Sequence, residues 1–286
     1  MKKILVTGCN GQLGRAINEL YAGNTEIELV NTDVFQPDYR ELDITSIDKV
    51  METVREIRPY AIVNCAAHTN VDKCESDQDN AYKINAIGPR NLSIAATEVG
   101  AKMMHISTDY VFEGNGTRPY IEFDPVNPQG MYGLTKLQGE RFVQQFAKDF
   151  FIVRTAWLYG DGKNFVKTML RLAETNDKVR VVSDQVGTPT SAKELAKAMD
   201  SLLFTENYGL FHGTCEGVCS WADFAVEIFR QAGKKTEVEY ITTAEYPTPA
   251  VRPAYSVLEN YMLKLTNGHM FAGWQDALTE YMKTIL

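Results

Sequence analysis

Tyr132 and Lys136 stand four residues apart in Tyr132-Gly133-Leu134-Thr135-Lys136. On a helix such positions share a face, so both side chains would point the same way. A phenol with a pKa near 10 is a poor acid or base at neutral pH. A lysine ammonium at roughly 4 Å contributes about 4 kcal/mol at an effective dielectric near 20, enough to lower that pKa by roughly 2 to 3. Such a pair can move a proton at a carbonyl while a nicotinamide exchanges a hydride. The spacing alone does not decide, because Tyr159 and Lys163 repeat it. Tyr132 follows a loop containing Pro125, Pro128 and Gly130. It opens a segment where Leu134, Leu137, Phe142, Val143 and Phe146 recur at roughly helical spacing. Tyr159 instead enters Gly160-Asp161-Gly162, which breaks a helix. The first pair is therefore the catalytic candidate.

Other residues fit the same chemistry. Thr7-Gly8-Cys9-Asn10-Gly11-Gln12-Leu13-Gly14 lies between an apolar strand and a helix. Glycines there let the backbone approach a pyrophosphate, and the helix start offers N–H groups and a positive dipole end. The plain alternative is a tight turn with no ligand. Asp33 ends the second strand, where an acid commonly binds adenosine ribose hydroxyls. It would repel a 2′-phosphate and no arginine directly follows it, so the residues lean towards NAD, unless Arg40 or a lysine folds back. Asp43 either accepts from an adenine amino group or starts the next helix. Asn64-Cys65-Ala66-Ala67 closes the third strand with small residues suited to lying against a cofactor, or merely to close packing. Ser107-Thr108-Asp109 ends the fourth strand. A hydroxyl there can bond the carbonyl that Tyr132 protonates, or cap the strand. Trp157 stacks on a base or sugar, or packs a lobe. The four histidines and five cysteines show no metal-ligand spacing, and no serine lies in a Gly-x-Ser-x-Gly elbow.

The elements that must position these residues alternate through the first half. Strands are expected at Ile4 to Thr7, Ile27 to Thr32, Ala61 to Cys65, Met103 to Ser107 and Phe151 to Thr155. Helices are expected between them, one capped by Ser46 and stopped by Pro59, and a long one from Ala81 to Val99. This rhythm predicts an α/β fold, a Rossmann-type doubly wound parallel sheet with ligands beyond the strands' carboxyl ends. After Thr155 the rhythm loosens. Residues 1–155 read as the dinucleotide-binding domain and 156–286 mainly as a smaller C-terminal substrate-binding lobe, from which later segments can return to the sheet.

The chain has 286 residues, 44% hydrophobic and 23% charged, with a formal charge of −8. That balance argues against broad binding to nucleic acid or anionic membrane. The apolar run at Ile4 to Val6 is too short for a signal peptide, and the cysteines read as reduced thiols. A cytoplasmic protein is expected.

The motifs in this order resemble the extended short-chain dehydrogenase/reductase superfamily. Within it, Thr7 to Gly14, Asn64 to Asp72, Ser107 to Phe112, Arg154 to Gly160, Gln185 to Thr190 and Arg252-Pro253 resemble the dTDP-4-dehydrorhamnose reductases over almost the full length. The resemblance implies NADPH- or NADH-dependent reduction of the C4 ketone of dTDP-4-dehydro-L-rhamnose, which makes a sugar donor for cell-surface polysaccharide. It implies Tyr132 as proton donor, Lys136 on the nicotinamide ribose and lowering the tyrosine pKa, and Thr108 at the carbonyl. Thr108, Asp109 and Trp157 would meet the substrate. Gly8, Asn10, Gly11, Gln12, Leu13, Gly14, Asp33, Asp43, Ile44, Cys65, Ala66 and Ala67, with Tyr132 and Lys136, would hold the cofactor. Some members dimerise through magnesium. No carboxylate cluster in this chain can be assigned to that role, so monomer and homodimer both stay open. A nucleotide-sugar epimerase or dehydratase is one alternative. The dehydratase lacks its second acid here, since Asp109-Tyr110 follows Thr108. The other is a non-catalytic regulator like the regulatory subunit of methionine adenosyltransferase, against which the intact Thr108, Tyr132 and Lys136 argue.

Overall fold

The computed structural model describes residues 1–34, 39–266 and 268–286. Six strands come first: β1 (Lys2–Thr7), β2 (Ile27–Asp33), β3 (Arg40–Glu41), β4 (Ala61–Asn64), β5 (Lys102–Thr108) and β6 (Phe150–Thr155). Successive side chains of a strand face opposite ways. Ile4 and Val6 therefore enter one buried cluster and Leu5 the other. Ala61 and Val63 divide from Ile62 in the same way, as do Phe151 and Val153 from Ile152. Apolar residues on both faces demand cover on both sides. The helices α1 (Gln12–Leu20), α2 (Ile47–Ile57), α3 (Val71–Ser76), α4 (Gln78–Tyr82), α5 (Gly88–Val99) and α6 (Met131–Phe146) supply part of it. Leu13, Ala16 and Ile17 of α1 join the first cluster, while Val50 and Val54 of α2, Leu92 of α5 and Val143 of α6 join the second.

The later chain holds β7 (Leu158–Tyr159), α7 (Phe165–Leu172), β8 (Lys178–Val182), β9 (Val186–Gly187), β10 (Thr190–Ser191) and α8 (Ala192–Leu203). It continues with β11 (Gly209–His212), β12 (Cys219–Ser220), α9 (Trp221–Gln231), β13 (Glu237–Ile241), α10 (Tyr261–Thr266) and α11 (Trp274–Ile285). The central sheet runs β11-β6-β5-β4-β1-β2-β3, parallel throughout. The order reverses between β1 and β4, where a crevice opens above their carboxyl ends. The doubly wound parallel sheet expected from the alternation is present. Its outermost strand β11 is supplied from beyond Thr155, and α8 packs on the same face as α1. The small pairs β7–β10, β9–β12 and β8–β13 stand apart from the sheet.

Two local departures have physical causes. The long helix expected up to Val99 is interrupted by a π-helical turn at Lys83–Ile87. Pro89 has no N–H for the Asn85 carbonyl four residues back, and the helix is wider there. Ser46 does precede α2, yet its side chain makes no capping bond. The helix ends at Arg58 with φ 46°, just before Pro59. Among the described residues no helix is long and apolar enough to cross a membrane.

Candidate active site

A cleft of about 930 Å³ occupies that crevice. Gly8, Gly11, Gln12, Leu13, Gly14, Asp33, Asp43, Ile44, Cys65, Ala66, Ala67, Thr108, Asp109, Tyr132, Lys136 and Trp157 all line it. Of the residues to which the sequence assigns a catalytic, cofactor or substrate role, only Asn10 is not part of its lining. Its N–H donates to Asp33 Oδ2 at 2.9 Å, and its side-chain oxygen accepts from Arg15. Asn10 thus ties the turn to the end of β2 from behind.

The glycines of the turn divide by role. Gly8 has φ 64°, and a Cβ there would lie 2.7 Å from the Ala66 backbone. A Cβ on Gly14 would lie 2.5 Å from Cys9. These two are required by the turn and by the packing of α1 upon it. Gly11, the N-cap of α1, meets only the Gly8 carbonyl, at 3.3 Å, and makes no side-chain cap. Its missing side chain leaves the first N–H groups of α1 open to the cleft, a cradle suited to a pyrophosphate. Asp33 accepts from the Asn10 and Val34 N–H groups. Arg40 does not fold back to it but forms a bidentate pair with Glu56 at 3.0 and 2.6 Å. Asp43 Oδ1 is held by the Thr45 N–H and hydroxyl at 2.9 and 2.8 Å, a local turn that precedes α2 rather than capping it.

At the other end α6 presents Tyr132 and Lys136. Glu75 accepts the Met131 N–H at 2.8 Å and sets an acid at the helix start. Gly133 lets α6 seat against the turn after β5, where a Cβ would lie 2.1 Å from the Tyr110 carbonyl. Lys136 is buried and donates to the Ile106 carbonyl at 2.5 Å. Burial draws its pKa down to about 8, against the pull of Glu140 and Cys65. Burial and then the Asp109 carboxylate push the Tyr132 phenol above its usual range, while a hydrogen bond with Thr108 opposes them. The lowering of the phenol expected from Lys136 is thus overtaken in the protein's own field, and Tyr132 keeps its proton at neutral pH. Thr108 donates to Asp109 Oδ1 at 2.9 Å. Burial raises the Asp109 carboxyl to about 6, against the opposing hydrogen bonds of Ser256 and Thr108. Ser107 is committed elsewhere. It donates to Glu140, which also holds buried Arg154 at 2.9 and 2.7 Å. Cys65 remains a thiol, its pKa pushed up to about 12 by burial.

Some cleft residues were not foreseen. Lys49, Thr69, Asn80, Tyr110 and Lys163 also line it. The Tyr110 ring meets Tyr132 edge-on at 5.3 Å, and its hydroxyl accepts from Arg252 at 3.2 Å. Arg252 also pairs with Asp72 at 2.7 Å. Tyr110, Arg252 and Asp72 each lie in a motif read from the sequence, but nothing in their spacing shows that they meet. Among the described residues no group of three or more His, Cys, Asp or Glu side chains is arranged to hold a metal ion.

Residues 1–286 match the family model described as the RmlD substrate binding domain. A crystal structure of a dTDP-4-dehydrorhamnose reductase from Clostridium acetobutylicum is 54% identical with a TM-score of 0.95, covering 99% of each chain. A dTDP-4-dehydrorhamnose reductase from Bacillus anthracis in complex with NADP is 41% identical with a TM-score of 0.94, covering 100% of each chain. The spore coat polysaccharide biosynthesis protein SpsK of Bacillus subtilis is 41% identical over 99% of this chain and 98% of its own.

Proposed function

The chain belongs to the RmlD substrate binding domain family, and from that premise we propose that it reduces the C4 ketone of dTDP-4-dehydro-L-rhamnose to dTDP-L-rhamnose with NADPH or NADH. The observation that carries this reading is the convergence of Tyr132, Lys136 and Thr108 on one cleft with the open start of α1. The glycine turn, Asp33, Asp43, Ile44 and Cys65 to Ala67 would hold the dinucleotide, with its pyrophosphate at Gly11 to Leu13. When bound, the reduced nicotinamide supplies the hydride.

The chain's own residues supply the rest. Tyr132 gives its proton to the oxygen that was the ketone. A phenol whose pKa lies above its ordinary value is fully protonated at neutral pH, as a donor must be. Thr108, whose hydroxyl donates to Asp109, would rotate it to donate to the same oxygen and turn the ketone towards Tyr132. Lys136, cationic below about pH 8, stabilises the phenolate left behind and bonds the ribose. Asp109 and Trp157 border the sugar. In this reading residues 1–155 bind the dinucleotide, and 156–286 mainly form the substrate lobe while returning β11 to the sheet. Asp33 favours NADH by charge, but the Bacillus anthracis relative was crystallised with NADP; both cofactors are proposed.

Purified protein incubated with dTDP-4-dehydro-L-rhamnose and each reduced cofactor should consume the cofactor and yield dTDP-L-rhamnose in equal amounts. Substrate conversion without net cofactor loss would point to an epimerase or dehydratase. No conversion at all would favour a non-catalytic role.

A further inference from the structure

Trp157 has a backbone φ of 50°, in the left-handed region that residues with a side chain seldom adopt. Such a conformation persists where the surroundings determine it. Three contacts do so here. The Trp157 carbonyl accepts the Thr190 N–H at 3.2 Å. The Trp157 indole stacks on Trp221, with ring centroids 3.6 Å apart and planes within 10°. Gly187 approaches the same indole so closely that a Cβ there would lie 2.5 Å from Trp157 Cε2.

Two of these contacts come from one small unit. β9 and β12 pair antiparallel, with Cys219 opposite Gly187 and Ser220 opposite Val186. Ser220 then caps α9 through a reciprocal box with Asp223, which makes Trp221 the first residue of that helix. Behind Trp221 stand Phe165 at 4.7 Å and Phe224 at 6.3 Å. An aromatic row therefore runs from the core of the lobe to Trp157, its member at the cleft.

We propose that Trp221 is a positioning residue for the sugar nucleotide: it holds Trp157 in its left-handed conformation as the lobe-side wall of the cleft. The inference rests on the reading of Trp157 as a substrate contact. Without the second indole, the Trp157 backbone is free to relax and the wall to move. The residues assigned to the cofactor lie in the turn before α1, on α1, at the ends of β2 and β4, ahead of α2 and on α6, and none of them is among the rings that Trp221 meets, so cofactor binding should not depend on Trp221.

The test uses Trp221→Leu, Trp221→Phe, Gly187→Ala and Trp157→Ala. Each is assayed for the KM of dTDP-4-dehydro-L-rhamnose and of NADPH, and for the coupled circular-dichroism signal of two stacked indoles. Trp221→Leu should lose that signal and raise the sugar-nucleotide KM by about three- to tenfold, the scale of one aromatic stack. Its NADPH KM should stay within about twofold. Trp221→Phe, which keeps a ring in the stack, should recover most of the KM. Gly187→Ala, which pushes on the same indole, should raise it. A lost signal with an unchanged sugar-nucleotide KM, or both KM values rising together, overturns the proposal. If Trp157→Ala raises the KM and Trp221→Leu does not, this inference fails alone. If Trp157→Ala leaves the KM unchanged, or the wild type does not turn over the substrate, the underlying reading fails and this falls with it.

Discussion

Tyr132 and Tyr159 each precede a lysine by four residues, yet they occupy opposite kinds of environment. Tyr132 and Lys136 ride one helix, where four residues span about 6 Å and return to the same face. Both reach the cleft. Tyr159 lies in the two-residue strand β7, its ring sealed against Tyr281 at 5.2 Å and Phe224 at 5.7 Å. The chain then turns away through Gly160 to Gly162, and exposed Lys163 stands on the cleft with no hydrogen bond or ion pair among the described residues. Burial pushes both phenols up. What separates them is access: the Tyr132 hydroxyl has Thr108 and the cleft beside it, whereas the buried Tyr159 hydroxyl has no partner among the described residues. A residue spacing carries chemistry only when one element holds both ends against one opening.

The comparison can be broken first at Lys136. Lys136→Met should lower kcat/KM by about a hundredfold or more, within the range for losing support of a proton transfer. In the wild type, kcat/KM should fall as pH rises through about 8, because the free enzyme's lysine is cationic below that value and neutral above it. Lys136→Arg, which keeps its charge, should not show that limb in a pH–rate profile. A limb that persists would belong to another group.

Asp109 should give the next largest effect, in stability. Its carboxyl pKa is about 6 in the fold and 3.8 for a free side chain, so folding disfavours its ionised form. Below about pH 4 both states are protonated and the group costs nothing. The cost grows between pH 4 and 6 as the unfolded chain ionises first, and it is complete above 6. Asp109→Asn keeps an oxygen for Thr108 and should stabilise the protein at neutral pH by about 1–3 kcal/mol, with no gain at pH 4. Thermal unfolding at several pH values measures this. An equal gain at pH 4 and pH 7 would contradict the assignment.

The smallest effect is expected at Tyr159. Tyr159→Phe removes a buried hydroxyl that has no partner, so stability should change by less than about 1 kcal/mol, with either sign. Turnover should stay within about twofold of the wild type. A large loss of turnover would mean that the spacing was read at the wrong copy.

Much of the cleft was legible because its residues sit at the ends of strands whose apolar runs are plain. Gly8 to Gly14, Asp33, Cys65 to Ala67 and Thr108 are each placed by the strand before them, and Tyr132 by the periodicity of α6. Other features depend on contacts between distant segments, which no local pattern encodes. β11 is four residues long and joins the sheet only because β6 offers an edge. Arg252 reaches Asp72 and Tyr110 across 180 and 142 positions of sequence. The Tyr132 pKa is the clearest instance. Four-residue spacing suggested a lowered phenol, but burial and Asp109, neither visible in the spacing, decide its direction.

The most direct test of Tyr132 as proton donor is turnover of dTDP-4-dehydro-L-rhamnose by Tyr132→Phe, with NADPH affinity measured on the same preparation. Loss of reduced cofactor should slow by about a hundredfold or more while NADPH binding stays near that of the wild type. Turnover at the wild-type rate would contradict that role.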